Sequence, residues 1–457
     1  MQKILNKNHQ QGEVVNTQGL VEVHNSLSTQ DRKDATKFDN CLMEKLVGKE
    51  NLKRALGRIE RNKGSHGIDK VETKDLRNYL KRNWETTKSQ LLQGIYKPSP
   101  VRRVEIPKPD GGTRELGIPT VLDRFIQQAI LQILTPIFDP TFSNHSYGFR
   151  EGRKAWDAVK EAQSYIKAGY IYEVDIDIEK FFDRVNHDKL MYLVSRKVTD
   201  KRLLKIIRAY LNAGIMINGC CVNRQIGTPQ GSPLSPLLAN IMLHELDKEL
   251  EKRGHKFCRY ADDCNIYVKS LRAGERVYSS IKVFLEKRLK LRVNEKKSSV
   301  GRPCTSKFLG FSFTKEKETR IGISAQSIER FKNKIRILTS RTYSISLQDR
   351  IKKLNEYLRG WFGYYRLMQT PSIMRELDGW IRRRLRMDQV KAWKNPGTIK
   401  RNLIALGIKE RDALNVSYRK GYWKLASIPP VQKALSLKYW KQQGLFSLVD
   451  NYQMEIL

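Results

Sequence analysis

The stretch Phe257-Cys258-Arg259-Tyr260-Ala261-Asp262-Asp263-Cys264-Asn265-Ile266-Tyr267-Val268 does most to limit what this chain can become. Two short apolar or aromatic runs flank a polar tip, the signature of a β-hairpin. The tip carries two adjacent carboxylates, Asp262 and Asp263. Neighbouring residues on a strand point to opposite faces, but at a tight turn both can reach one site. Two like charges held together repel unless a cation neutralises them. Asp is also a favoured turn residue, so a lone Asp-Asp pair reads most simply as a solvated turn. The rest of the chain decides between the two.

A second acidic cluster lies about 85 positions earlier (262 − 177), in Ile171-Tyr172-Glu173-Val174-Asp175-Ile176-Asp177-Ile178-Glu179-Lys180-Phe181-Phe182-Asp183. Its alternation predicts a strand with Ile176 and Ile178 facing a core and Asp175 and Asp177 sharing the other face. Such strands usually present a solvated face. Two strands that bring three carboxylates together, however, make a two-cation site, with Mg²⁺ ions ~3.5–4 Å apart serving in-line phosphoryl transfer. Phe182, five residues beyond Asp177, is a planar bulk near enough to sense a sugar.

Charge narrows the partners. The 457 residues include 86 Lys and Arg against 48 Asp and Glu, a net +38, which makes a polyanion the expected partner. A ribosomal or histone-like binder would carry the same charge. With 40% hydrophobic residues the chain can build a substantial core, and its length allows two to four domains. The six cysteines, Cys41, Cys220, Cys221, Cys258, Cys264 and Cys304, form no C-x-x-C pair and no zinc spacing. They read as reduced thiols. The opening Met1-Gln2-Lys3-Ile4-Leu5-Asn6-Lys7-Asn8 lacks a signal-peptide core, and no apolar run approaches the ~18 residues that span a bilayer. The expectation is an intracellular, cytoplasmic protein with no membrane contact.

Residues 1–40 read as a polar tail. From Cys41 the spacing turns helical (Leu42, Leu46, Leu52, Leu56, Ile59), broken by the loop Asn62-Lys63-Gly64-Ser65-His66-Gly67-Ile68-Asp69. That loop is a connector or a basic loop on a phosphate backbone. Val101 to Pro119 predicts a hairpin about an Asp-Gly-Gly turn, with Lys108 and Arg114 on opposite arms where they could close on a triphosphate. A helix should follow through Asp123 and Leu134, ending at Pro136, and a loop over Ser146–Arg153. Gly227-Thr228-Pro229-Gln230-Gly231-Ser232-Pro233-Leu234-Ser235-Pro236 runs into an apolar helix, and small residues there let backbone approach a flat ligand or a phosphate. Beyond Thr314 a charged connector (Glu316, Lys317, Glu318, Arg320) leads into helices from about Ser327. Asp378–Met387 sets Arg382, Arg383, Arg384 and Arg386 beside Trp380, a block that suits an RNA phosphate track. Lys420 to Trp440 mixes basic and aromatic residues.

Taken in this order, the pieces resemble the group II intron-encoded reverse transcriptases, or maturases, from about Asn51 onward. The most specific are the acidic strand Asp175–Asp183, the Thr228–Pro236 loop and Tyr260-Ala261-Asp262-Asp263. The resemblance implies an α+β right-hand polymerase with fingers, palm and a helical thumb, plus a small helical C-terminal DNA-binding domain. It divides the chain into an N-terminal extension (41–100), fingers and palm (101–315), a thumb or maturase domain (316–390) with Trp361 and Phe362 in its core, and a DNA-binding domain (391–457). Asp177, Asp262 and Asp263 would hold two Mg²⁺ ions (Mn²⁺ as an alternative), with Ile178 in both the metal and the nucleotide sets. Asp175 matches no ligand of the family pattern. Phe182 falls at the steric gate that favours dNTPs, Gln230 where the loop meets the templating pair, and Lys108 and Arg114 on the triphosphate clamp. In Leu291-Arg292-Val293-Asn294-Glu295-Lys296-Lys297 the lysine near the leaving pyrophosphate is taken as Lys296, with Lys297 the alternative. Phe308-Leu309-Gly310-Phe311 resembles the primer grip, and the Gly64 loop resembles a template-holding extension.

The implied partners are group II intron RNA, an RNA template, a DNA primer or target and dNTPs, for a monomer or homodimer. The implied function is RNA-directed DNA synthesis that assists splicing and copies the intron by target-primed reverse transcription. Many relatives end in a zinc-bearing H-N-H nuclease. Here no Cys follows Cys304, so second-strand cleavage is not expected. Two other readings share these features: a free-standing reverse transcriptase of defence or repair, and a non-catalytic RNA-binding splicing factor.

Overall fold

The computed structural model describes residues 41–456 apart from 108–110, 218–219, 223–225, 229–230, 317, 341 and 343–344. The polar stretch 1–40 lies outside the described residues, as do Lys108, Gln230 and Lys317. Among the described residues the strands are β1 (Val101–Pro107), β2 (Thr113–Ile118), β3 (Tyr172–Ile176), β4 (Ile215–Ile217), β5 (Cys220–Val222), β6 (Lys256–Tyr260), β7 (Asp263–Val268), β8 (Ser299–Gly301), β9 (Phe311–Phe313) and β10 (Ile321–Ile323). The chain divides into two units. One comprises Met1–Phe142, Glu179–Glu245 and Glu286–Arg292, the other Ser143–Ile178, Leu246–Leu285 and Val293–Leu457.

In the first unit the expected hairpin strands do pair. β1 and β2 pair antiparallel, with Arg114 opposite Ile106, and β1 also pairs in parallel with β4, giving the order β2-β1-β4-β5. Helices Leu42–Leu46, Lys49–Asn62 and Leu76–Leu92 precede the hairpin, and the loop over 64–69 interrupts them as expected. The helix after the hairpin runs Val121–Phe138, past the expected end at Pro136. Leu134 and Phe138, both buried, hold the last turn in place despite the hydrogen bond Pro136 cannot donate. Asp123 is buried and accepts from Tyr96, Tyr210, Thr120 and the Ser99 amide, a set of donors that makes burial of a carboxylate tolerable.

The second unit holds the sheet β6-β7-β3-β8, antiparallel throughout. One face carries Val174, Ile176, Ile266 and Val300, and the helix Leu271–Phe284 packs there, with Gly274 against Val300, Val268 and Val174. The other face carries Glu173, Asp175, Tyr267 and Cys258. Cys258 and Tyr267 join Ala158, Val159 and Tyr165 of the helix Ala155–Lys167, and Phe308, Phe311, Phe313 and Ile321 around β9 and β10, in one apolar cluster. Thus Glu173 and Asp175 do not line a solvated face: Glu173 is fully buried, because the second layer covers that face too. Phe308 to Phe311 forms a tight turn with Leu309 and Gly310 both at positive φ.

Helices Ala325–Leu338, Leu347–Tyr365, Pro371–Ala392 and the shorter ones from Pro396 onward share a single hydrophobic core that runs from Ile323 through Trp361, Phe362 and Leu385 to Trp440 and Tyr452.

Candidate active site

The acidic hairpin forms as read. β6 and β7 pair from Lys256 opposite Tyr267 to Tyr260 opposite Asp263, leaving Ala261 and Asp262 as the turn. A two-residue loop needs positive φ to follow the twist of its strands, and Ala261 supplies it at φ +59°. β3 ends at Ile176, one residue short of the second cluster, but its register with β7 runs 172 to 268, 175 to 265 and 176 to 264. Continued one step past the end of β3, the same register would bring Asp177 opposite Asp263. Directly opposed residues share a face with Cβ atoms about 5 Å apart. The chain beyond β3 is held by the Asn294 amide, which donates to the Asp177 carbonyl at 2.9 Å, and by Ser298 Oγ, which accepts from the Asp177 amide at 3.0 Å.

The electrostatics agree with that placement. Burial, then the charges of Glu173, Asp263 and Asp177, pushes the Asp175 carboxyl up to about 7. Burial, then Asp262 and Asp177, pushes Asp263 up to about 6, while Lys307 and Lys297 pull it down. Burial alone raises Glu173, whose oxygens lie near Ser306 and Asn265 without a well-formed hydrogen bond. Among the described residues no three carboxylates are already drawn to metal-ligating spacing. The donors themselves fit a hard divalent cation: Asp177, Asp262 and Asp263 offer carboxylate oxygens at one end of one sheet.

The remaining predicted residues divide. Ile178 is buried and bridges to Val293, so its side chain offers no ligand and only its main chain could serve a metal or a nucleotide. Lys297 is among the charges that act most strongly on Asp263. In the other unit, Phe182 packs edge-on to Phe181, and the Thr228 amide donates to the Phe182 carbonyl. Gly227 (φ +88°) lies so close to this turn that a Cβ would fall 2.7 Å from the Asp183 carbonyl oxygen. The Gly227–Pro236 loop therefore starts on the Phe182 turn, although Gln230 itself lies outside the described residues. Arg114 is exposed on β2. The Gly64 loop is gripped by basic side chains: Arg124 donates to the Ser65 carbonyl, and Arg102 to the His66 carbonyl and Ser65 Oγ.

The arginine block Arg382–Arg386 is not one solvated face. Arg386 is buried and donates to the Arg382 carbonyl, Arg384 donates to Thr339 and the Arg336 carbonyl, and Arg383 lies 3.9 Å over the Trp423 ring. Four arginines within five positions of a helix cannot all face outward, and residues 382 and 386 share a side with buried Leu385 and Asp378. Arg386 is therefore withdrawn from the phosphate track.

Sequence reasoning missed Arg259, which is fully buried and forms a bidentate pair with Asp247 on the helix Ser235–Lys252. Its alternation with Phe257 on an apolar hairpin arm was the available signal, since both occupy inward positions of β6.

Comparison with known proteins defines the class. Residues 106–313 match the reverse transcriptase (RNA-dependent DNA polymerase) family, and residues 328–404 match the group II intron maturase-specific domain. The chain belongs to the group II intron-encoded reverse transcriptase/maturase family. It is similar to protein YkfC of Escherichia coli (strain K12), 32% identical over 279 residues that cover 52% of this chain and 73% of the relative. It is also similar to the group II intron-encoded protein LtrA of Lactococcus lactis subsp. cremoris, 41% identical over 170 residues, 37% of this chain and 28% of LtrA. An uncharacterized 91 kDa protein in the cob intron of Schizosaccharomyces pombe is 39% identical over 159 residues, 35% of this chain and 20% of that protein. The matches therefore cover less than a third of those two relatives. The architecture is that of a reverse transcriptase right hand with a helical C-terminal region, and a reverse transcriptase domain is a nucleotidyltransferase that works with a divalent metal on nucleic acid. No helix among the described residues is long and apolar enough to cross a membrane.

Proposed function

We propose that this chain is an RNA-directed DNA polymerase in which Asp177, Asp262 and Asp263 hold two Mg²⁺ ions. The observation that supports it most is the β3–β7 register, which runs to Ile176 opposite Cys264 and so ends with Asp177 next in line beside Asp263 and the turn carrying Asp262. The bound ions would acidify the primer hydroxyl and stabilise charge on the transferring phosphorus. The protein's own part is positional. The β3–β7 pairing brings the chain up to Asp177 and Asp263, the amide and hydroxyl contacts of Asn294 and Ser298 hold the chain leaving β3, and the positive charges of Lys297 and Lys307 act on Asp263. Of the two candidate lysines, Lys297 is the better placed to protonate or neutralise the leaving pyrophosphate. Phe182, Gln230, Lys108 and Arg114 would receive the dNTP, with the Phe182 ring rejecting a 2′-hydroxyl. The maturase-specific domain would bind the group II intron RNA, so that the chain assists splicing and then copies the intron by target-primed synthesis. The functional divisions would be 41–100, 101–315, 316–390 and 391–457.

Primer extension on an RNA template with dNTPs and Mg²⁺ tests this directly. The wild type should extend, and Asp262→Ala should bind the hybrid but not extend it. Tight RNA binding without extension by the wild type would overturn the catalytic reading and leave an RNA-binding splicing factor on a polymerase scaffold.

A further inference from the structure

The face of the palm sheet opposite the catalytic carboxylates carries a buried cation at the end nearest the turn. Arg259 is the residue of β6 opposite Cys264, so its side chain leaves the sheet on the side away from Asp263. Four of its five N–H donors are accounted for. Nε donates to Asp247 Oδ1 at 2.7 Å, and Nη2 to Asp247 Oδ2 at 2.6 Å and Ser146 Oγ at 2.7 Å. Nη1 donates to the Ala261 carbonyl at 2.9 Å. That carbonyl belongs to the left-handed residue of the acidic turn, between Tyr260 and Asp262. The main chain is strapped at the same point: the Arg259 amide donates to the His145 carbonyl at 2.9 Å, and the Tyr147 amide to the Arg259 carbonyl at 2.8 Å. Gly148 then lies so close that a Cβ would fall 2.3 Å from the Ala261 nitrogen. A loop that the sequence shows only as glycine- and arginine-rich thus grips the catalytic turn.

We propose that Arg259, fixed by Asp247 and Ser146, is a positioning residue that presets the Tyr260–Asp263 turn in the shape that receives the metal ions. The inference rests on the metal role of Asp262 and Asp263 given above. A turn with an alanine at positive φ and two adjacent carboxylates is costly by itself, because the backbone is unfavourable and the charges repel. A rigid guanidinium fork holds that backbone from the far side without occupying any carboxylate oxygen. Burial works against the Arg259 charge, and the adjacent Asp247 more than offsets it, with Asp262 adding to the same effect, so the fork remains protonated. A lysine could keep the charge but not span Asp247, Ser146 and Ala261 together.

A purely structural ion pair behaves differently, and this separates the two roles. A buried pair that only fills space can be replaced by apolar residues of similar volume with little loss of stability. The test compares wild type, Arg259→Lys and the double variant Arg259→Met/Asp247→Leu. Three quantities are read: thermal midpoint, primer–template affinity, and cation affinity by Tb³⁺ luminescence sensitised through Tyr260 alongside the half-saturating Mg²⁺ of extension. Positioning predicts a folded double variant with hybrid affinity within twofold of wild type, and Tb³⁺ and Mg²⁺ requirements raised at least tenfold. Arg259→Lys should show the same direction and covers the case in which the double variant does not fold. Unchanged Tb³⁺ and Mg²⁺ requirements in any folded variant would overturn the proposal. If the wild type binds Tb³⁺ and hybrid but never extends a primer, the polymerase reading falls while the clamp is still measured by Tb³⁺ alone.

Discussion

Asp175 and Asp263 hold protons more tightly in the folded chain, which ties its stability to pH. Both are acids whose folded values, about 7 and about 6, lie above the ordinary carboxylate range. The folded chain therefore holds more protons than the unfolded chain between about pH 4 and 7, so stability falls as pH rises through that window. In EDTA the thermal midpoint should drop between pH 5 and pH 8, less steeply in Asp175→Asn, and added Mg²⁺ should restore most of the loss at pH 8. A midpoint with the same pH slope in wild type and Asp175→Asn would contradict this. Lysine choice gives a second prediction. Lys297→Ala should lower kcat by tenfold or more with little change in dNTP KM, whereas Lys296→Ala should leave both near wild type, as read by single-turnover extension. At this scale the acidic residues were legible because chemistry needs those side chains in that order. Asp175 was legible only as a partner on the same face, since its burial depends on a second layer that the strand's own alternation does not reveal. Arg259 was legible only as an inward position in step with Phe257; that a charge can sit there follows only once the Asp247 that meets it is placed.

Hairpins and the longer helices are the elements that the sequence carried well, because turn chemistry and local periodicity decide them. The two hairpins, the loop over 64–69 and the tight turn at Phe308–Phe311 all appear where their local signals put them. The parallel pairing of β1 with β4 has no local signature, as its partners lie more than a hundred positions apart. The helix Pro371–Ala392 shows where periodicity needed more care. Its arginines follow one another too closely to share one face, and Arg384 and Arg386 turn inward to carbonyl and hydroxyl acceptors. Arg383 makes a different contact, stacking on Trp423, and a cation over an indole is worth about 0.5–2 kcal/mol. Arg383→Ala should therefore lower unfolding free energy by about that amount in denaturant titration, and Trp423→Leu should reproduce the loss without adding to it in the double variant. Full additivity would show the contact to be silent.

Over the whole molecule, the maturase-like helices and the C-terminal ones cannot be separated without cutting a core. Trp440, Leu448 and Tyr452 are buried in the same cluster as Phe331 and Leu354, so the expected boundary near 390 falls inside one packed core. Trp440→Ala should cost about 3–5 kcal/mol, and deletion of 391–457 should lose the cooperative transition of the remaining thumb helices in calorimetry. Retention of that transition would show the core to be divisible. The interleaving of the two units has a further consequence, for synthesis on the ribosome. The first unit lacks its last segment until Arg292 has been made, 150 residues after Phe142 (292 − 142). At ribosomal rates of roughly 5–20 residues per second that is about 8–30 s. During this interval the β1–β2 hairpin waits for β4, and β3 is made with both its eventual neighbours, β7 and β8, still to come. The nascent chain thus carries unpaired strand edges for seconds. Its yield in a cell should depend on chaperones and growth temperature more than its folded stability would suggest.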